Sequence, residues 1–227
     1  MTSPAEFQRL FNLSDEQNTS DFQKAMDAHR AQADAVRDRA TDAIKRIGER
    51  RDLTPEAKRA AAAKVYKPAA EQIQQALDKH IDMVKAHKQE LARKAFGAGT
   101  AADPMTAMAR RQARQQAATV TDPGQAESLI RDAHFSGDRE LARAVAAVAF
   151  ERGWHGAVDA WNEDGSNNAF MKHVIELAQM PDTNDVVWRM NVAQSYTKPM
   201  PGLLDGLKPH EISRAADTDF GDGGEAA

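Results

Sequence analysis

The chain has 227 residues, enough for one large or two small domains, and 41% of them are apolar but only 6% aromatic. A mean hydropathy of −0.64 with 28% charged residues favours helices with narrow apolar stripes over one thick core, and the absence of cysteine excludes disulfides and thiolate metal sites. Residues 1–100 hold 18 Lys and Arg against 15 Asp and Glu and the remainder 12 against 19, so neither half is basic enough to predict nucleic-acid binding by charge alone.

The first stretch, residues 1–19, is predicted to form a short helical turn or a mobile arm. Its apolar residues form what we name the N-terminal apolar cluster: Phe7, Leu10, Phe11 and Leu13. Because this cluster is too small to fold on its own, we expect it to dock on this chain or on a neighbouring one. The stretch lacks the basic start and apolar run of a signal peptide, and no run in the chain approaches the roughly 20 apolar residues that span a bilayer.

A first long helix is predicted from about Ser20 to Gly48. Its apolar positions alternate in steps of four and three residues, which is the heptad spacing of a coiled coil. These positions are Phe22, Met26, His29, Ala33, Val36, Ala40, Ala43 and Ile47. The small alanines would let a partner helix approach closely. For His29, a polar residue within this stripe, setting the register is favoured over binding a metal.

A second helix is predicted from Thr54 to Phe96, roughly 60 Å long if it is unbroken. Thr54 suits the N-cap and Pro55 the first helical position. Apolar or small residues recur every three or four positions along most of it. A link of about six residues makes the two helices antiparallel neighbours, so residues 20–97 are predicted to form a long helical hairpin or coiled coil.

The larger apolar residues of the two helices, with His29, are predicted to form a seam for self-association, because two helices alone cannot bury both of their stripes. The seam consists of Phe22, Met26, His29, Val36, Ile47, Ile73, Leu77, Ile81, Val84 and Leu91. Pro68 interrupts the second helix. It predicts either a kinked continuous helix or two helices, 55–66 and 69–96, and the resumption of the stripe in phase favours the kinked helix.

Residues 98–121 are predicted to be a linker that carries a short basic helix. Gly97 and the small residues after it mark the boundary, and Asp103 followed by Pro104 is a helix start signal. Three arginines can share one side of this helix and contact phosphate: Arg110, Arg111 and Arg114. Since no aromatic residues are interleaved with them, an ordinary solvated face is favoured.

Residues 122–196 are predicted to form a small bundle of short helices, which contains all three Trp residues. Residues 197–227 are predicted to be a disordered, acidic tail, because three prolines oppose regular structure and the end has almost no apolar content. Leu203, Leu204 and Leu207 within this tail form either a docking motif or part of the chain's own bundle, and their spacing leaves both alternatives open.

No constellation of catalytic, metal-binding or cofactor-binding residues is recognisable, so neither an enzyme nor a cofactor is expected. There is no glycine-rich phosphate loop. His80 and His87 lie seven residues apart without further ligands nearby. A solvated or partly packed role is therefore favoured over zinc binding for both.

Two stretches resemble proteins encoded in the virion-structure gene blocks of tailed phages of actinobacteria. They are Asp52–Lys58 (DLTPEAK) with Val65 and Tyr66, and Ser136–Val145 (SGDRELARAV) with Glu151–Trp154 (ERGW). These proteins are largely uncharacterised helical proteins, and they carry no catalytic residues to transfer. The resemblance implies a role in head or tail morphogenesis.

Three functions follow from these patterns. The first is a virion structural or assembly protein that binds itself and other virion proteins, located in the host cytoplasm during assembly or in the particle. The second is a cytoplasmic helical adaptor that binds a protein through its C-terminal bundle. The third and weakest is nucleic-acid binding through the arginines.

Overall fold

The computed structural model describes residues 21–97 and 103–218, and within these ranges all regular secondary structure is helical. The all-α class predicted from the sequence is therefore confirmed. The helices, in chain order, are α1 (Asp21–Glu49), α2 (Pro55–Phe96), α3 (Pro104–Ala118), α4 (Pro123–Ser136), α5 (Arg139–Glu151), α6 (His155–Trp161), α7 (Asn168–Gln179), α8 (Val186–Gln194), a 3-10 turn (Gly202–Leu204) and α9 (Pro209–Asp217). The predicted arm, residues 1–19, and the acidic end of the tail from residue 219 lie outside the described residues.

Helices α1 and α2 form the antiparallel hairpin expected from their apolar stripes. Ile44 packs with Ala62 and Ala63, and farther back along α1 Ala33 packs with Ile73. Residues nearer the start of α1 therefore pack against residues nearer the end of α2, as in an antiparallel pair. Because the alanine side chain is small, the backbones of α1 and α2 can approach closely at these contacts. Alanine can therefore form part of the buried stripe.

The link between these two helices is fixed by polar contacts. The Thr54 hydroxyl accepts a 3.2 Å hydrogen bond from the amide of Ala57, as the predicted N-cap requires. The Lys58 ammonium donates a 3.0 Å hydrogen bond to the carbonyl of Gly48 in the last turn of α1. That carbonyl has no amide partner farther along the helix, so the lysine satisfies a group that the end of α1 leaves open.

Pro68 does not break α2, which runs for 42 residues through this position. Of the two alternatives, the continuous helix is the one found. Pro68 is exposed, and so is Lys64, four residues earlier, whose carbonyl an amide at position 68 would bond in a regular helix. A proline on the solvent side therefore costs stability without dividing the helix.

The prediction that residues 197–227 lack regular structure was wrong for the part that the structure describes. Pro209 starts α9 instead of preventing it, because a missing amide has no consequence at the first helical position. The Glu211 carboxylate accepts a 2.7 Å hydrogen bond from the amide of Lys208, which caps the helix. Ile212, Ala215 and Ala216 of α9 then pack against the Ile44 core cluster of the hairpin.

The chain divides into two compact units, and the division falls at different places from the predicted boundaries. Unit 1 comprises the described residues up to Met83 and from Asp182 onward, and unit 2 comprises Val84–Pro181. The first boundary lies inside α2 and not in the predicted linker, residues 98–121. The predicted bundle, residues 122–196, is divided as well, since α4 to α7 belong to unit 2 and α8 to unit 1.

Unit 2 is built around α5, which contacts α3, α4 and α6. The buried side of α5 consists of Leu141, Ala142, Val145, Ala146 and Ala149. Asp103 caps α3 as its Asp-Pro signal predicted, and Asp122, which also precedes a proline, caps α4. Gly137 takes a left-handed conformation with φ of 75° between α4 and α5, which a residue with a Cβ adopts only with strain. The Trp161 ring lies 5.5 Å from that of Phe96 and completes the core of this unit.

Two proline substitutions in unit 1 should have opposite effects on stability. Pro68→Ala restores an amide donor within α2 and should raise the free energy of unfolding by about 1–2 kcal/mol. Pro199→Ala removes part of a fully buried ring and should lower it by about 1–2 kcal/mol. Urea unfolding followed by circular dichroism measures both, and a loss of stability in Pro68→Ala would contradict the prediction.

Candidate protein-interaction surfaces

The predicted self-association seam lies largely inside the folded chain. Its buried members are Met26, Ile73, Ile81, Val84 and Leu91, and its half-buried members are Phe22, His29, Val36, Ile47 and Leu77. In unit 1 the cover comes partly from the C-terminal segment, since Tyr196 and Val192 pack with Ala33 and Ile73. Much of the surface that the sequence offered to a partner helix is therefore used by the chain itself.

The three leucines of the predicted tail also lie on the hairpin. Leu204 is only 1% exposed and packs with Ile44 and the alanines of α2, while Leu203 and Leu207 pack around the same cluster. Of the two alternatives left by the sequence, the structure shows packing on the chain itself. In this conformation the leucines do not form a free docking motif.

A buried polar contact fastens the C-terminal segment to the hairpin. His80 Nδ1 and the Tyr196 hydroxyl share a 2.9 Å hydrogen bond, and their rings meet edge to face at 5.5 Å. His29 Nε2 donates a 2.8 Å hydrogen bond to the carbonyl of Ala76, and its ring lies 6.2 Å from that of Tyr196. The Trp188 ring of α8 lies 6.4 Å from that of His80. We call the pair His80 and Tyr196 the polar clasp.

The surroundings of the polar clasp favour its uncharged form. Burial lowers the pKa of His80, and the positive charge of Arg30 lowers it further. Burial raises the pKa of Tyr196, so its hydroxyl stays protonated at neutral pH. The sequence favoured a solvated or partly packed His80, and the structure places it in the core, where the tyrosine satisfies one ring nitrogen.

The side of α8 that points away from the hairpin is apolar and exposed. Trp188 and Val192 are half-buried, whereas Val186, Val187 and Met190 are between 60% and 68% exposed. We call these three residues the α8 outer face. The sequence did not reveal it, because apolar residues on both sides of a short helix form a nearly continuous run in which inner and outer positions look alike.

Unit 2 exposes apolar side chains on two of its helices. Phe135, near the end of α4, is 97% exposed, and Met105 and Met108 in the first turns of α3 are exposed as well. Met105 and Met108 lie on the same side of α3, because they are three residues apart. In α4, which packs on α5 and α6, Phe135 points outward.

The three arginines of α3 do not form one free basic face. Arg110 Nε lies 3.3 Å from the Glu140 carboxylate, and both side chains are largely covered. Arg111 and Arg114 remain exposed. A cavity of about 200 Å³ is lined by Arg110, Arg114 and Arg143. Glu140 and Glu151 line it as well. This mixture of charges weakens the attraction of the surface for phosphate.

In the part of the chain that the structure describes, no group of three or more His, Asp or Glu side chains is arranged to hold a metal ion. Within the same residues no helix is both long and apolar enough to cross a membrane. No protein-family model, curated protein or solved structure matches the chain. The surfaces themselves therefore carry the functional inference.

The polar clasp makes the stability of unit 1 depend on pH. Since folding lowers the pKa of His80, the unfolded chain takes up a proton near its ordinary pKa of about 6.5 more readily than the folded chain does. The free energy of unfolding should thus fall as the pH is lowered through this value, and the His80 contribution should be fully present above it. Urea unfolding of the wild type and of His80→Gln across this range measures the effect.

His80→Gln should show a smaller loss of stability on acidification, because glutamine does not titrate. A matched variant, Tyr196→Phe, leaves His80 Nδ1 without its partner and should lower stability by about 1–3 kcal/mol at neutral pH. An acid-induced loss of the same size in His80→Gln and in the wild type would show that the clasp is not its source.

Proposed function

We propose that the chain is a virion structural or assembly protein, of a scaffold-like or minor-component kind, that binds copies of itself and other assembly proteins. Its all-helical architecture and its resemblance to proteins of phage virion-structure gene blocks support this proposal. In this function the protein acts in the host cytoplasm during assembly and either leaves or stays in the finished particle. The proposal requires no catalytic residue, cofactor or metal.

The observation that carries the proposal is the exposure of Phe135. An aromatic ring that is 97% exposed leaves nearly all of its apolar surface in water, and burying such a side chain is worth about 1.5–3 kcal/mol. Aromatic residues are enriched among the few that dominate binding at protein interfaces. Met105 and Met108 add flexible apolar contacts, which adapt readily to a partner surface.

The role of the helical hairpin differs from that expected from the sequence. Its seam residues are buried or half-buried, and the C-terminal segment packs on them in unit 1. Self-association by pairing of bare hairpins would require that segment to leave. We therefore assign the hairpin the role of a stiff support and place association at the exposed apolar residues.

A second candidate function is that of a helical adaptor, which binds a different protein and does not self-associate. The position of Phe135 favours it, because this residue lies in unit 2 and within the segment, residues 122–196, that the sequence offered as a partner-binding bundle. Nucleic-acid binding is the weakest candidate, since Arg110 is paired with Glu140.

The native mass of the full chain separates these functions. As a self-associating assembly protein it should form oligomers as its concentration rises, and Phe135→Ser should weaken the association roughly tenfold or more, as expected for the loss of about 1.5–3 kcal/mol of apolar burial. Light scattering coupled to size exclusion, over a series of concentrations, measures this. Met200→Ser, which changes an exposed apolar residue of unit 1, serves as the control and should leave the association unchanged.

A strictly monomeric chain at every concentration would overturn self-association and leave the adaptor as the better proposal. An oligomer that both variants form equally well would show that the contact lies away from Phe135.

A further inference from the structure

We propose that the α8 outer face is the docking site for the N-terminal apolar cluster of the same chain. The residues concerned all belong to unit 1 or to the stretch that precedes α1. This docking is separate from the association assigned to Phe135 in unit 2, and it does not depend on that function.

The α8 outer face is a defined surface. Trp188 and Val192 anchor the opposite side of α8 beside His80 and the Ala33–Ile73 core cluster. Val186 and Met190 are four residues apart and Val187 is three from Met190, so the three side chains project together from one side of the helix. None of the nine residues of α8 is buried, and this apolar side faces away from the hairpin.

The small area of the α8 outer face indicates which kind of partner can bind there. Nine residues of helix extend for about 13 Å. A stable contact between two separate molecules buries roughly 800 Å² on each partner, which three side chains cannot supply. A short segment of the same chain needs far less area, because its tether holds it at an effective concentration of the order of millimolar. The face therefore fits a tethered segment better than a second copy of the chain.

The N-terminal residues can reach this face. The His29–Ala76 contact and the antiparallel register of the hairpin place His80 about one helical turn from Asp21, measured along the hairpin axis, and the Trp188 ring lies 6.4 Å from that of His80. Seven residues separate Leu13 from Asp21, and seven extended residues span up to about 25 Å. This reach exceeds one helical turn along the hairpin together with the roughly 10 Å diameter of α8, on whose far side the outer face lies.

The N-terminal apolar cluster has the residue spacing that such a face accepts. Phe7, Leu10 and Phe11 follow each other at intervals of three and one, which is the spacing of the anchor residues of short peptides that bind as amphipathic helices. Two phenylalanines and a leucine offer a large apolar area to the two valines and the methionine. Docking removes the apolar side chains of both partners from water.

Disulfide trapping in the full chain tests the proposal, because the natural sequence contains no cysteine. Asn12→Cys places a thiol beside the cluster, and Gln194→Cys places one a turn beyond Met190 on the exposed side of α8. Both changes leave the apolar residues intact. Mild oxidation of the dilute double variant should give an intramolecular disulfide at least about tenfold faster than a control pair does.

The control pair is Asn12→Cys with Lys79→Cys, an exposed position of α2 next to His80. It has the same tether and lies at the same level of the hairpin, but it is not on the α8 outer face. Adding Phe7→Ser and Phe11→Ser to the test pair should reduce its rate to that of the control. Non-reducing mass spectrometry gives the rates and distinguishes disulfides within one chain from those between chains.

Equal rates for the test and control pairs would overturn the proposal, and so would an unchanged rate after the two Phe→Ser substitutions. Disulfides that join two chains at high dilution would overturn it in favour of exchange of the N-terminal residues between copies. The oligomeric state of Phe135→Ser has no bearing on these outcomes, so failure here and failure of the assembly function are told apart.

Discussion

The packing of the C-terminal segment on the alanine-lined hairpin is the constraint on which unit 1 depends. Two helices bury one stripe between them and leave the flanks of that stripe in water. Tyr196 and Leu204 cover those flanks at the Ala33–Ile73 and Ile44 core clusters, and α9 adds its own apolar residues to the second cluster. Residues 192–216 of the chain thus provide a third layer of the core of unit 1.

The polar clasp gives this packing a fixed register. A purely apolar contact between an alanine-rich hairpin and a short helix could slide, because small side chains form few distinct holes. The hydrogen bond between His80 and Tyr196 has one geometry, and breaking it leaves a buried polar group without a partner. Trp188 lies near the same histidine and Val192 packs on the Ala33–Ile73 core cluster, so these contacts together orient α8 and its outer face.

Because the chain itself covers much of the seam, surfaces for other molecules have to lie elsewhere. A heptad stripe in the sequence indicates a partner helix, but it does not say whether that partner belongs to the same molecule. In this chain much of the partner surface is intramolecular. Exposed apolar residues lie instead on short helices of each unit, among them Phe135 in unit 2 and the α8 outer face in unit 1.

Local signals in the sequence were sufficient to place the two long helices, since the Thr-Pro start and the apolar periodicity fix where α1 and α2 begin and end to within about two residues, and the Asp-Pro signal fixes where α3 begins. The sequence failed at α9, where Pro209 starts a helix and was taken to oppose one. The burial of Leu204 and His80, the exposure of Phe135 and Val187, and the pairing of Arg110 with Glu140 become visible only in the folded chain. These properties depend on which distant segment packs on each helix. An amphipathic stripe indicates that a helix packs against a partner, but it does not identify that partner.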